Sequence, residues 1–226
     1  MEPTAIILQH KPSIPTDDLL STLARSGITG LKLRPNNVNE LPSEQLIAKS
    51  SAVVLVDIPA RNNHQLHEEE IKLIKRFRNK KKILALGTGT ITAGIAHGAK
   101  VCPDHLRLGW MPATPTNHVS GQLEKFSTKI LVNSNIKLTP PEEAKILITS
   151  GRHVVAYKHN NLLSLDFVTN IDLTSYDLII QKAIHQKSSP SPRVQTVEEL
   201  RYYRDKHLKP YRAEISHFLE HWLAKI

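Results

Sequence analysis

A strand, a glycine turn and a helix follow one another without a break at residues 83–101, ILALGTGTITAGIAHGAKV. The apolar run 83–86 is short and bounded by glycine, which is typical of a buried strand. Thr90 is predicted to cap the helix that follows, and Gly98 to end it. Turns of this kind hold nucleophiles or anions in α/β proteins, because glycines permit the bend and the helix start offers free N–H groups. The turn contains no residue that acts as a nucleophile by itself.

Apolar strands and amphipathic helices alternate over the first hundred residues. Strands are predicted at 5–9, 28–33, 51–56 and 83–86, and helices at 16–27 and 68–77. The run 51–56 is uncharged and rich in β-branched residues, so it is expected to lie centrally in a sheet. This order predicts a doubly wound, mostly parallel sheet.

The second half of the chain is predicted to add antiparallel strands. Residues 109–112 are interpreted as a turn-rich connection. Further strands are expected at 129–132, 144–148, 154–158 and 162–167, with a hairpin turn at 160–161. A mixed sheet with an attached antiparallel ribbon follows from this pattern.

The C-terminal part is predicted to be helical. One helix is expected over 173–185, and residues 187–192 form a linker by their serine and proline content. The tail 196–226 is interpreted as a helix broken near Pro210, docked on the domain or on a second subunit or protein partner. The predicted units are therefore an α/β domain at 1–186, a linker at 187–195 and the helical tail.

Composition favours a soluble cytoplasmic protein with a basic surface. The net charge is +9, and no apolar run approaches the roughly 20 residues of a membrane span. Cys102 is the single cysteine and has no partner for an internal disulfide. The densest basic segment, 72–82, combines a helix end with a loop and is not interleaved with aromatic residues. A solvated surface is favoured over a nucleic-acid site, which is kept as an alternative.

Five segments match a known family in order and spacing. They are 8–10, the turn region 84–101, the Gly-Trp step at 109–110, 141–150 and the hairpin 154–167. In these segments the chain resembles the class I, or triad, glutamine amidotransferases, most closely stand-alone relatives of the GMP synthase amidotransferase domain. The resemblance implies a flavodoxin-like α/β fold, with a mostly parallel central sheet flanked by helices and an added antiparallel ribbon.

The resemblance also implies that the catalytic triad is lost. The family's cysteine at the turn, called the elbow, falls on Gly87, and its late histidine and glutamate fall on Val168 and Asn170. The family's glycine pair after the third strand corresponds to Val56 and Asp57, and a carboxylate there repels a developing oxyanion. We therefore expect no glutamine hydrolysis.

A non-catalytic binding or regulatory role is the expected function, with a small anionic ligand at the elbow. The candidate ligand-binding residues are Asp57, Gly87, Thr88, Gly89, Thr90 and Asp166. Thr88 and Thr90 are expected to cap the helix, since no histidine is positioned to activate either hydroxyl. The alternative is a transferase or hydrolase acting on a small anionic or amide substrate, with Asp57, Thr88 and Asp166 as its polar groups.

Neither a cofactor nor a metal is expected. The histidine pairs 64 and 67, and 153 and 159, lack the spacing and cysteine partners of a metal site. Cys102 is interpreted as an inert, partly buried thiol beyond the far end of the elbow helix.

Overall fold

Ten strands and six helices build the described part of the chain, residues 3–60, 62–117, 129–186 and 193–224 of a computed structural model. The strands are β1 Thr4–Leu8, β2 Thr29–Leu33, β3 Ala52–Leu55, β4 Lys82–Leu86, β5 Lys100–Pro112, β6 Thr114–Pro115, β7 Lys129–Thr139, β8 Lys145–Ser150, β9 His153–His159 and β10 Leu162–Leu165. The helices are α1 Asp17–Arg25, α2 Glu44–Lys49, α3 His64–Phe77, α4 Gly89–Ala96, α5 Leu173–His185 and α6 Val197–Leu223, with a short 3-10 helix at Val38–Glu40.

Eight of the strands form one mixed sheet in the order β2-β1-β3-β4-β10-β9-β8-β6. The first five pair in parallel, and the remaining pairs are antiparallel. β5 and β7 form a separate two-stranded antiparallel ribbon. Asn160 turns the β9–β10 hairpin with φ of 51°, a conformation that asparagine tolerates. The predicted fold class, with its added ribbon, is confirmed.

The sheet is covered on both faces, which explains why its inner parallel strands β1, β3 and β4 are mostly continuous apolar runs. Successive residues of each strand point to opposite faces. Ile7, Val54 and Leu84 pack with α1, α5, α6 and the ribbon. Ile6 and Val53 pack on the other face with α2, α3 and α4.

The turn predicted at 109–112 is wrong, because these residues continue strand β5. Gly109 has φ of 122°, and a Cβ there would stand 2.8 Å from Cδ of Gln195. The amide of Trp110 donates to Gln195 Oε1 at 2.7 Å, and Gln195 Nε2 donates to Trp110 O at 3.2 Å. Pairing with β7 on one side and with Gln195 on the other keeps the glycine-containing segment extended.

The break predicted near Pro210 is also wrong, since α6 runs through it as one helix. Proline removes one backbone hydrogen bond, and burial along the helix outweighs that loss. Leu208, Tyr211 and Ile215 are buried on both sides of the proline. The helix packs against α1, α5 and β5, as expected for a tail docked on its own domain.

The last residues of the predicted linker, 193–195, are hydrogen-bonded to strand β5. Residues 187–192 lie outside the described residues, but the Leu108 amide donates to Arg193 O at 3.0 Å and the Gln195 amide to Leu108 O at 2.9 Å. Thr196 then caps α6 in a reciprocal capping box with Glu199. Among the described helices, none is long and apolar enough to cross a membrane. The division into domain, linker and tail stays a prediction.

Candidate functional site

The elbow at the end of β4 is a sharp glycine turn held by backbone contacts. Gly87 has φ of 50° and its amide donates to Leu165 O at 2.9 Å. α4 begins at Gly89, where a Cβ would stand 2.7 Å from the carbonyl carbon of Leu55. The turn therefore passes so close to the end of β3 that only glycine fits at Gly89.

The predicted capping roles of Thr88 and Thr90 are wrong. The helix starts earlier than expected, so Thr90 lies inside it and its Oγ1 donates to Gly87 O at 2.7 Å. Thr88 occupies the capping position, but its side chain makes no capping hydrogen bond. The elbow is stabilised by the Thr90 hydroxyl bonding back to the turn.

A cavity of about 320 Å³ opens beside the elbow. Its wall includes the three positions that the resemblance assigns to the triad, Gly87, Val168 and Asn170, together with Thr88. The other lining residues come from the loop after β1, the ends of β3 and β4, the segment after β10, β7 and helix α5. They are Lys11, Ser13, Ile14, Pro15, Val56, Leu86, Asn133, Thr169, Ile171, Ser175, Leu178, Ile179 and Lys182.

Asp57 and Asp166 are not brought to this cavity. Asp57 is buried and accepts hydrogen bonds from the backbone amides of His10 and Lys11, both at 2.7 Å. Burial raises the pKa of Asp57, and these two hydrogen bonds oppose the rise. The carboxylate therefore fixes the loop after β1.

Asp166, like Asp57, is buried and contacts protein groups; its partner is Arg107 of the ribbon strand β5. Its Oδ2 lies 3.3 Å from Nη2 of Arg107, and both side chains are buried. Burial raises the pKa of Asp166 to about 7, although Arg107 favours the charged form. The ribbon and the main sheet are thus joined by a polar contact away from the cavity.

A buried pair, His10 and Glu70, escaped the sequence interpretation. His10 Nε2 lies 2.7 Å from Glu70 Oε2, and His10 Nδ1 lies 3.1 Å from Pro35 O. Burial by itself lowers the pKa of His10, but the hydrogen bond and charge of Glu70 outweigh it and the net pKa is raised. Because both ring nitrogens are engaged, His10 holds its loop and has no nitrogen free for proton transfer.

The periodicity of α3 offered a signal for Glu70. Its buried residues are Leu66, Glu70, Leu73, Ile74 and Phe77, a spacing that forms one helix face. A carboxylate on such a face needs a partner, and the histidine after β1 supplies it. The lysines at the cavity, Lys11 and Lys182, had no comparable signal because they come from unrelated parts of the chain.

Metal ligands do not converge in the described ranges, where no group of three or more histidine, cysteine or acidic side chains is suited to hold an ion. His67 Nε2 lies 3.1 Å from Thr92 Oγ1, and His153 Nδ1 lies 3.6 Å from Asp104 Oδ2. Cys102 is exposed on β5, which corrects the expectation of a partly buried thiol. It does not line the cavity.

Several cations of the basic segment 72–82 contact protein groups. Lys72 and Arg76 form ion pairs with glutamates of α3 and α2. Arg78 and Lys81 donate to backbone carbonyls in α4 and at the end of α2. These contacts favour the solvated-surface interpretation, and the absence of a nucleic-acid partner stays a prediction.

Replacing Gly89 with alanine tests the close approach of the elbow to β3. The added methyl group would meet the Leu55 backbone, so Gly89→Ala should lower the free energy of unfolding by about 1–3 kcal/mol. Gly94→Ala in the same helix is the control, because its Cβ would first meet the movable Leu138 Cδ1, at 3.2 Å. Equal losses in urea denaturation of the two variants would contradict the steric role of Gly89.

Comparison with solved structures identifies the architecture. A glutamine amidotransferase from Thermotoga maritima superposes with a TM-score of 0.77 at 14% identity, covering 99% of both chains. A glutamine amidotransferase from Methylobacillus flagellatus gives a TM-score of 0.77 at 18% identity, covering 99% of this chain and 93% of that one. A protein from Thermoplasma acidophilum, assigned to GMP synthase as one of its subunits, gives 0.59 at 14% identity, covering 92% and 98%.

The similarity to these proteins is found in the three-dimensional structure. No family model matches the sequence, and no curated protein matches it. The chain has the fold of class I glutamine amidotransferases.

Proposed function

We propose that this protein is a non-catalytic relative of the glutamine amidotransferases that binds a small anionic ligand in the elbow cavity. The observation that carries the proposal is the chemistry of three residues on one wall. Gly87 presents a hydrogen atom, Val168 an isopropyl group and Asn170 a carboxamide. None of these groups acts as a nucleophile or as a general base.

The hydroxyl of Thr88 has no histidine beside it at the cavity. Thr88 is the one hydroxyl at the turn that faces the cavity, and none of the described histidines lines the wall. A threonine hydroxyl needs an adjacent base to become nucleophilic. The alternative of another chemistry is less well supported, because Asp57 and Asp166, its two carboxylates, do not line the cavity.

Purified protein incubated with glutamine should release no more ammonia than buffer. Thr88→Val and Cys102→Ser should behave like the unchanged protein, since neither side chain is expected to act on glutamine. A class I amidotransferase measured in parallel establishes that the assay detects hydrolysis. Ammonia release above buffer that is lost in either variant would refute the proposal.

A further inference from the structure

We infer that the ligand of the elbow cavity is a small anion with an apolar body, such as a medium-chain carboxylate. This inference rests on the proposed binding function and names the chemical class of ligand that the cavity wall selects. The cavity volume, about 320 Å³, is at the lower end of the range of roughly 300–1,000 Å³ for small-molecule pockets. The wall combines positive charge with apolar surface.

Two lysines supply the charge. Lys11 belongs to the loop that Asp57 anchors through the Lys11 amide, and Lys182 extends from α5. Lys182 Nζ lies 2.6 Å from Oδ1 of Asn133, another lining residue, so the ammonium group is held at the wall. Among the described residues that line the cavity there is no aspartate or glutamate. A carboxylate or phosphate is therefore favoured, whereas the ammonium group of an amino acid finds no anionic partner among these lining residues.

Aliphatic side chains form much of the remaining wall. Val56, Leu86 and Val168 line the inner side, and Leu178 and Ile179 belong to α5. Leu178 is 53% exposed although it borders the cavity, whereas Ile179 beside it is 5% exposed. Covering the exposed leucine with an apolar ligand body removes hydrocarbon surface from water. A bare inorganic anion leaves this surface uncovered.

Calorimetric titration with four probes separates the two requirements. Hexanoate carries both features, hexanamide lacks the charge, acetate lacks the apolar body, and hexylamine reverses the charge. Hexanoate should bind at least about tenfold more tightly than hexanamide or hexylamine, the effect of one charge-assisted hydrogen bond. It should also bind at least about tenfold more tightly than acetate, because only its hydrocarbon chain covers the apolar wall. Equal affinity for hexanoate and hexanamide, or no measurable binding of hexanoate at millimolar concentration, would overturn the inference.

Variants of the wall assign the two features to residues. Lys11→Gln and Lys182→Gln should each weaken hexanoate binding about tenfold, since each removes one charged partner. Lys145→Gln on β8 is the matched control, because it makes the same charge change outside the cavity. Leu178→Ala should weaken hexanoate binding and leave acetate binding unchanged. An equal loss in Lys145→Gln would attribute binding to overall charge and refute the site.

A thiol placed at the elbow reports occupancy directly. A Cβ at Gly87 would lie 3.7 Å from Val56 O, an ordinary contact distance, so there is space for the first atom of a cysteine side chain in Gly87→Cys. In a Cys102→Ser background, alkylation of this thiol by iodoacetamide should be slowed by hexanoate and not by hexanamide. Equal protection by both compounds, or by neither, would contradict the inference. Should the positive φ of Gly87 prevent this variant from folding, the lysine titrations decide.

The two proposals fail in different ways. Ammonia release from glutamine would refute the non-catalytic function and leave the selectivity for hexanoate intact. Indifference to ligand charge would refute anion binding at the cavity, including the ligand class, and leave the absence of hydrolysis intact.

Discussion

Glu70→Ala should lower the free energy of unfolding by about 3–5 kcal/mol, because it leaves His10 buried without its charged partner. The side chains of His10 and Glu70 are 5% and 0% exposed, so water cannot replace the lost contact. For a chain of this length, each kcal/mol corresponds to roughly 2–4 °C in melting temperature. Urea denaturation at pH 6, where His10 is protonated, measures the effect.

The neighbouring Glu69 provides the control. Its side chain is 37% exposed and pairs with Lys72 within the same helix. Glu69→Ala should cost no more than about 1 kcal/mol, as expected of a surface ion pair. Similar losses in the two variants would refute the importance of the buried pair.

The buried pair also predicts a pH dependence with a defined sign. Because the pKa of His10 is raised in the folded state, its contribution is fully present below the unfolded pKa of about 6.5. That contribution is lost as the pH rises through the folded-state pKa. The stability difference between the unchanged protein and Glu70→Gln should therefore be larger at pH 6 than at pH 9. A difference that is independent of pH would show that Glu70 does not raise the pKa of His10.

Tyr211→Ala should lower the free energy of unfolding by about 3–5 kcal/mol, the usual cost of removing a large buried aromatic side chain. Tyr211 is 2% exposed, and its ring lies 5.1 Å from that of Trp110 in an edge-to-face contact. Its hydroxyl donates to Val168 O at 2.6 Å, which joins α6 to the cavity wall. Thermal unfolding followed by circular dichroism measures the loss.

Two variants isolate the sources of this effect. Tyr211→Phe keeps the ring and removes one hydrogen bond, so its cost should be near 1 kcal/mol. Tyr202→Ala in the same helix removes a side chain that is 59% exposed and should change little. A tolerated Tyr211→Ala would mean that α6 contributes little to the stability of the domain.

Apolar patterning carried most of the fold prediction. Strand β3 and residues 83–86 of β4 are fully buried in the middle of a covered sheet, so these residues show an uninterrupted apolar signal. The apolar face of α6 likewise indicated this helix in the sequence, and the structure adds the capping box at Thr196 and Glu199. The local sequence determines these elements, so they can be predicted from it.

The errors arose where distant residues override local preferences. Gly109 suggested a turn, but Gln195 occupies the space beside it and holds the strand extended. Pro210 suggested a break, but burial on both sides keeps α6 continuous. Asp57 lies next to the elbow in the topology, yet its carboxylate turns inward to two backbone amides. Such tertiary contacts leave no trace in the spacing of a single sequence.

Asp57 affects both the expected chemistry of the cavity and the position of one of its lysines. At a position where the resemblance implies a glycine that helps to stabilise a negative charge on substrate, this chain carries its own negative charge and buries it. That carboxylate accepts hydrogen bonds from the amides of His10 and Lys11, and so it fixes the backbone position of Lys11. Under the proposed non-catalytic function, this one residue takes the place of a group that would stabilise an oxyanion and also positions a cation at the cavity. If the proposal holds, the absence of hydrolysis and the preference for an anion are both linked to Asp57.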